Sequence, residues 1–157
     1  MKKIVITGGL GYIGTELCKI YSGYSWNDKI TVIDNRFISE RVNQIRNWNM
    51  TFIQGDILDK DLINEHCKDA DIVHHLAGIT DVPRVKSEST FEKEELIRKV
   101  AEEGTQNILD AISDECKIIM PSSHVVYEGL DSIKKNIKED EKTCPSLAYG
   151  KSKDINQ

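Results

Sequence analysis

The run Lys3-Ile4-Val5-Ile6-Thr7 leads directly into Gly8-Gly9-Leu10-Gly11-Tyr12-Ile13-Gly14, and this junction constrains the fold more than any other stretch. Its continuous apolar centre reads as a strand buried on both faces, as in a parallel sheet. The glycines that follow mark a turn whose backbone leaves no room for side chains. Helical period resumes at Tyr12. Further along, short β-branched runs alternate with longer segments of helical period, the pattern of a parallel sheet with helices on both faces.

The expected strands are Lys3–Thr7, Ile30–Asp34, Thr51–Gln54, Asp71–Leu76 and Lys117–Met120, the last closed by Pro121. The first helix is expected over Tyr12–Tyr21 with Ile13, Leu17 and Ile20 on its inner stripe. A second opens at Ser39 as N-cap and ends before Asn49, and a third runs from about Asp59 to Cys67. The longest covers Thr90–Ile112, burying Ile97, Val100, Ala101, Ile108 and Ile112. Residues 122–148 read as a long connection with few apolar anchors. No repeat, low-complexity tract or internal boundary interrupts the pattern. One α/β, doubly wound parallel sheet of about five strands, in the order 3-2-1-4-5, accounts for residues 1–157.

Gly9-x-Gly11-x-x-Gly14 follows an expected strand and opens an expected helix, the context in which this spacing signifies a dinucleotide site. One glycine permits the tight turn, one admits a pyrophosphate, and one lets helix pack on strand. Gly8 adds a further position without a side chain, and the N–H groups of Tyr12 and Ile13 lie at the helix start, where the dipole favours phosphate. A plain glycine turn is the competing reading. Asp34 lies about twenty residues past Gly14, at a strand end, where a carboxylate can bind adenosine ribose hydroxyls and repel a 2′-phosphate. NAD is therefore expected over NADP, with Arg36 the one feature that softens the preference, and Asn35 is expected to help hold the ribose. A solvated turn residue is the alternative for Asp34.

Tyr149 and Lys153 stand four residues apart, one helical turn, on the same face. A tyrosine titrates near pH 10 unperturbed, and a neighbouring ammonium favours its phenolate. Such a pair can take a hydroxyl proton while hydride leaves the same carbon. A chance pair on an exposed turn is the alternative.

Taken in order, Thr7–Gly14, Asp34-Asn35, Gly55-Asp56-Ile57, His75-Leu76-Ala77-Gly78, and Ser122–Tyr127 followed by Tyr149–Lys153 resemble the extended short-chain dehydrogenases/reductases of the NAD-dependent epimerase/dehydratase family. The resemblance spans almost the whole chain and about the first half of a typical member. It implies a Rossmann-like domain, NAD as cofactor and a nucleotide-sugar substrate. Asp56 and Ile57 would flank the adenine, and Leu76, Ala77 and Gly78 would line the cofactor. Ser123 would hydrogen-bond the reacting oxygen, completing a catalytic set with Tyr149 and Lys153. The resemblance also implies a homodimer through the 90–112 helix. Two positions depart from the family pattern. Dehydratases carry Asp-Glu just after the Ser or Thr, where this chain has His124 and Val125, so epimerisation or simple oxidation–reduction is preferred over dehydration. Ala101 stands where the family keeps an Asn three residues before Gly104-Thr105.

Several classes of function are disfavoured. A net charge of −5 argues against a broad nucleic-acid surface. No apolar run approaches the roughly 18–20 residues of a transmembrane helix. Cys18, Cys67, Cys116 and Cys144 are scattered without a C-x-x-C pair, as expected of a reduced cytoplasmic protein with buried or half-buried thiols and no zinc. His74 and His75 are tempting as metal ligands, but adjacent strand residues point to opposite faces, so packing and backbone hydrogen bonding are expected instead. His124, beside Ser123, is a candidate to face substrate.

The sequence breaks off shortly after Lys153, before the family's C-terminal strands and substrate domain. The expectation is a dinucleotide-binding domain truncated in the helix that carries Tyr149 and Lys153, with Ile118, Ile119 and Met120 near a sheet edge. Tyr149–Gln157 is short for an isolated helix and has Ile155 as its one aliphatic anchor beyond the start, so the catalytic pair is expected to be poorly fixed. A non-catalytic NAD-binding or assembly module is the alternative function.

Overall fold

β1 (Lys3–Thr7) is the middle strand of a five-stranded parallel sheet, flanked by β2 (Lys29–Asp34) and β3 (Thr51–Gln54) on one side and β4 (Ile72–His75) and β5 (Lys117–Ile119) on the other. The computed structural model describes residues 1–24, 27–80, 90–130 and 136–154. The order β3-β2-β1-β4-β5 is the expected one, and every pairing is parallel. The chain divides into two compact units. One is Met1–Ala77 with Gly104–Pro121 and holds the whole sheet; the other is the described part of Gly78–Glu103 with Ser122–Gln157.

Register explains the first unit. Ile4 pairs with Ile30 and Ile72, and Ile6 with Val32 and His74, placing these residues on one face. Buried Ile4, Ile6, Ile30 and Val32 cluster there with Cys18 of α1 (Tyr12–Tyr24) and Val42 and Ile45 of α2 (Ser39–Asn47). The alternate residues Val5 and Val73 pair with one another and are buried on the opposite face. α3 (Lys60–Cys67) buries Ile63 and Cys67. α4 (Phe91–Ala111) buries Ile97, Gly104, Thr105 and Ile108, while Val100, Ala101 and Ile112 are only half-buried. A sheet with apolar residues on both faces and helical crossovers is the doubly wound, Rossmann-like arrangement.

Several local expectations change. The inner stripe of α1 is Gly14, Leu17, Cys18 and Tyr21, whereas Ile13 and Ile20 are 60% and 56% exposed. Placing the helix against a glycine turn rotates its buried face onto the small residue Gly14, so apolar spacing alone selects the wrong stripe. α2 begins with Ser39 already helical, and its N-cap is Ile38, which has no side-chain cap. Asp59 does cap α3, accepting from Leu62 N at 3.1 Å. β5 ends at Ile119, at the sheet edge, and Ile119 is exposed while Ile118 and Met120 are half-buried. Among the described residues no helix is long and apolar enough to cross a membrane.

In the second unit, a 3₁₀ turn over His124–Tyr127 lies within the expected connection, and α5 (Ala148–Asp154) packs against it. A Cβ on Gly150 would lie 3.0 Å from Val125 O, which measures how closely the helix approaches the turn. Packing of this kind, and not length, supports a helix of seven residues. Ile155, the anchor expected from the sequence, lies outside the described residues.

Candidate functional site

The carboxyl ends of β1, β2 and β4 meet at the glycine turn, the switch point where open α/β sheets bind ligands. Gly8 carries the turn, with φ of +68°. Its N–H donates to Ile33 O at 2.8 Å, and Gly11 N–H returns to Gly8 O at 3.0 Å. A Cβ at Gly8 would stand 2.6 Å from Ala77 N, so β1 and β4 leave no room for one. The tight-turn task therefore falls on the glycine ahead of the spaced motif. Gly14 does the helix packing, but against the turn: a Cβ there would lie 2.6 Å from both Gly8 O and Gly9 Cα. Gly9 faces the sheet, where its Cβ would strike Val32. Tyr12 and Ile13 are exposed at the helix start, and their N–H groups and that of Gly14 have no acceptor among the described residues.

Asp34 ends β2 buried, its side chain 3% exposed. Its Oδ2 accepts Leu10 N–H at 3.0 Å, and Oδ1 accepts the Arg36 N–H at 3.0 Å. The Arg36 guanidinium also reaches Oδ1 at 3.2 Å from Nε and Oδ2 at 3.4 Å from Nη2. Asp34 is therefore no solvated turn residue. Arg41, from α2, donates to Leu10 O and brings a second guanidinium to the turn. Asn35 is exposed, and its Nδ2 donates to Asp56 Oδ2 at 3.0 Å, which ties two of the expected ribose and adenine residues together. Ile57 is buried, its carbonyl accepting from Asn107 Nδ2 at 3.0 Å. A Cβ on Gly104 would strike the Ile57 side chain, which explains a glycine in the middle of α4.

Leu76 and Ala77 follow β4 and are half-buried beside Gly8. His74 and His75 do face opposite ways, and each ring meets side-chain hydroxyls. His74 Nε2 lies 2.7 Å from Tyr21 Oη on α1, with the rings edge to face at 5.5 Å. Burial holds the His74 pKa below its usual value. His75 bridges Thr7 Oγ1 at 2.9 Å and Thr105 Oγ1 at 3.0 Å, joining β1, β4 and α4 at the base of the turn. Thr7 Oγ1 also accepts Ala77 N–H at 3.3 Å. Sequence reasoning missed this network. The available signal was three polar residues, Thr7, His75 and Thr105, at positions where the apolar pattern demands burial. Among the described residues no three of His, Cys, Asp and Glu gather as metal ligands. Cys18 and Cys67 are buried and Cys116 half-buried, but Cys144 is exposed, contrary to expectation.

Gly78, Ser123, Tyr149 and Lys153 belong to the second unit. Gly78 is exposed, and a Cβ there would touch nothing within 4 Å among the described residues. Ser123 caps the 3₁₀ turn, its Oγ accepting Val125 N–H at 3.5 Å. His124 is exposed. Tyr149 and Lys153 share a face of α5 as expected, with Lys153 Nζ 5.7 Å from the centroid of the tyrosine ring. Lys153 is half-buried, and desolvation holds its pKa below the usual value. Glu128, which the sequence did not single out, anchors this helix. Its Oε1 accepts from Ser146 N at 3.2 Å, Ser146 Oγ at 3.1 Å and Leu147 N at 2.9 Å. A separate cavity of about 270 Å³ opens between α4 and α5, lined by Phe91, Glu94, Glu95, Arg98, Ala148, Lys151 and Ser152, and includes none of the expected site residues.

Residues 5–157 match the model of the 3-beta hydroxysteroid dehydrogenase/isomerase family. The UDP-N-acetyl-alpha-D-glucosaminuronate decarboxylase of Bacillus cytotoxicus is 32% identical over 130 residues, covering 80% of this chain and 38% of that protein. The UDP-N-acetylglucosamine 4-epimerase of Methanobrevibacter ruminantium, solved with UDP-N-acetylmuramic acid, superposes with a TM-score of 0.79 at 28% identity, over 98% of this chain and 47% of the other. The UDP-glucose 4-epimerase of Brucella ovis, solved with NAD, gives 0.79 at 28% identity over 99% and 45%. The chain thus spans about two-fifths to one-half the length of these proteins.

Proposed function

The chain belongs to the 3-beta hydroxysteroid dehydrogenase/isomerase family, among the extended short-chain dehydrogenases, and from that premise we propose that it is the NAD-binding part of a nucleotide-sugar epimerase or related oxidoreductase. One observation carries the reading. A glycine turn without room for side chains opens a helix whose first N–H groups find no acceptor among the described residues, and a buried carboxylate is held to the same turn through Leu10. Free donors at the positive end of a helix suit a pyrophosphate, and an acid at the adjoining strand end suits ribose hydroxyls. The donor set therefore fits NAD. In this reading Gly8, Gly9, Gly11, Tyr12, Ile13 and Gly14 form the phosphate cradle. Asp34 and Asn35 take the adenosine ribose, Asp56 and Ile57 flank the adenine, and Leu76, Ala77 and Gly78 line the remainder.

When bound, a nicotinamide supplies the acceptor for a hydride leaving a sugar carbon. The chain's own residues handle the proton. Tyr149 takes it from the sugar hydroxyl at its phenolic oxygen, and Ser123 Oγ donates a hydrogen bond to the reacting oxygen. Lys153 supports Tyr149 electrostatically: an ammonium already short of water gains from an anionic neighbour, so burial strengthens the coupling. His124 and Val125 provide no acid–base pair for eliminating water, which favours epimerisation or oxidation–reduction over dehydration.

The first test is thermal unfolding with NAD. At about a hundred times its Kd the ligand should add roughly 2.7 kcal/mol, or about 5–10 °C in Tm for a domain of this size. No shift would defeat the reading. Turnover of a UDP-sugar by the protein but not by Tyr149→Phe would support the base assignment, and equal rates would sink it. Turnover of a UDP-sugar by the 157-residue chain would also sink the alternative of a non-catalytic NAD-binding module.

A further inference from the structure

We propose that Asn107 is a positioning residue for the adenine end of the cofactor site, acting on Asp56 through the peptide between Ile57 and Leu58. The inference rests on the cofactor reading above, in which Asp56 and Ile57 flank the base. Residues 55–59, between β3 and α3, lie in neither strand nor helix, so their shape depends on individual bonds. No backbone N–H reaches the Ile57 carbonyl among the described residues. Asn107 Nδ2 donates to it instead, at 3.0 Å and from fifty positions along the chain. The other end of that same peptide is Leu58 N–H, which donates to Asp56 Oδ1 at 3.0 Å. Asn107 thus grips one end of a peptide whose other end sets a carboxylate.

Neighbouring contacts show that the grip is built and not incidental. Gly104, Asn107 and Asp110 follow one another at intervals of three on α4, and so share one face of the helix. A Cβ at Gly104 would strike the Ile57 side chain, which fills the space that the glycine leaves and is buried there. Asp110 pairs with Lys60 Nζ at 2.9 Å, an exposed contact of small weight at the start of α3. Ile57 is therefore held twice by the same stripe, its side chain at Gly104 and its carbonyl at Asn107. The second oxygen of Asp56 accepts from Asn35 Nδ2 at 3.0 Å, so both carboxylate oxygens have fixed donors and the acid has one orientation. Without the Asn107 amide, the 57–58 peptide can turn and release Leu58 N–H from Oδ1. Half-buried Asp56 then loses the orientation in which it meets a base.

The test is isothermal titration of the 157-residue protein with NAD and with nicotinamide hypoxanthine dinucleotide, which carries a carbonyl in place of the 6-amino group of adenine. An oriented carboxylate accepts from the amino group and repels the carbonyl, so the parent should bind NAD at least about tenfold tighter than the analogue. Asn107→Leu and Asn107→Asp keep the size of the side chain and remove the donor. Each should weaken NAD and leave the analogue nearly unchanged, cutting the preference to about twofold or less. Asn107→Gln keeps the amide and should keep most of the preference. A merely structural role would weaken both ligands alike and leave their ratio where it was. Circular dichroism at the assay temperature confirms folding, and Asn107→Asp carries the test should Asn107→Leu not fold. An unchanged ratio in the donor-less variants, or a parent that binds both ligands equally, would overturn the proposal while leaving the NAD reading intact. A parent that binds neither would overturn both together.

Discussion

Gly8→Ala isolates the backbone demand at the heart of the turn. Three contributions set its magnitude. A residue with a Cβ held at φ of +68° loses about 1–2 kcal/mol relative to glycine. The added carbon would meet Ala77 N at 2.6 Å, Ala77 Cα at 2.7 Å and Leu76 C at 2.8 Å, all backbone, so relief requires β1 and β4 to separate locally. Overpacking of that kind typically destabilises by about 1–3 kcal/mol. Against these, alanine restricts the unfolded chain and returns about 0.4–1 kcal/mol. The balance is a loss of about 3 kcal/mol, or roughly 6–12 °C in Tm for a chain of this size. Gly23→Ala is the matched control. It sits in the last turn of α1, where a Cβ meets nothing within 4 Å among the described residues. Better helix propensity should leave it neutral or more stable by up to about 1 kcal/mol. Urea unfolding followed by circular dichroism measures both, with the m-value checking that the transition is unchanged. Gly8→Ala within about 1 kcal/mol of the parent, or no worse than Gly23→Ala, would refute the argument.

Other consequences are equally direct. Burial lowers the His74 pKa, so this residue contributes stability that is complete above its unfolded value of about 6.5 and is lost as pH falls through the lower folded value. Unfolding free energy should therefore decline on acidification below about pH 6.5, and His74→Gln, which retains an acceptor for Tyr21, should decline less; an identical decline removes His74 as the cause. Burial pushes the thiols of Cys18 and Cys67 up to about 12. Native protein treated with iodoacetamide at pH 8 should be alkylated first at exposed Cys144, and mass spectrometry showing Cys18 modified equally fast would contradict the buried assignment. Glu128→Ala removes the acceptor of three hydrogen bonds at the start of α5 and should release about 1–2 kcal/mol of local stability. Hydrogen exchange should then quicken at Lys151, whose N–H bonds Leu147 O, and unchanged exchange there would dissociate Glu128 from the helix.

How far the sequence reveals this molecule depends on what each feature is made of. The strands were legible because a parallel sheet demands continuous apolar runs, and β1 and β3 fall on the residues the pattern selects. The glycine motif was legible as a turn into a helix, but the division of labour within it was not. Spacing distributes tasks among Gly9, Gly11 and Gly14, whereas the approach of Ala77, about seventy residues away, assigns the left-handed position to Gly8. The same cause misplaced the inner stripe of α1. Apolar spacing favours Ile13 and Ile20, but the helix is seated by Gly14 against Gly9, a contact that periodicity does not encode.

Side-chain pairing across long separations is the common thread in what stayed hidden. His75 sits between Thr7 and Thr105, residues on three different elements, and no local window contains more than one of them. Buried polar groups must find partners, so each of these residues implied a bond without naming the other end. Asp34 carries the argument further. Its position at the end of a strand past a glycine turn makes it the candidate acid for a ribose, and that proposal needs only the sequence. Whether the acid is free to act depends on Leu10 from the turn and on Arg36, whose guanidinium reaches both of its oxygens. Arg36 is only two residues away, so the pairing is local, yet a strand end can direct such a side chain either to solvent or back onto the acid. Burial of Asp34 decides it: a carboxylate with a side chain only 3% exposed needs compensating charge, and Arg36 supplies it. The residue that the sequence proposes for the cofactor site is thus the one whose availability only the folded chain determines.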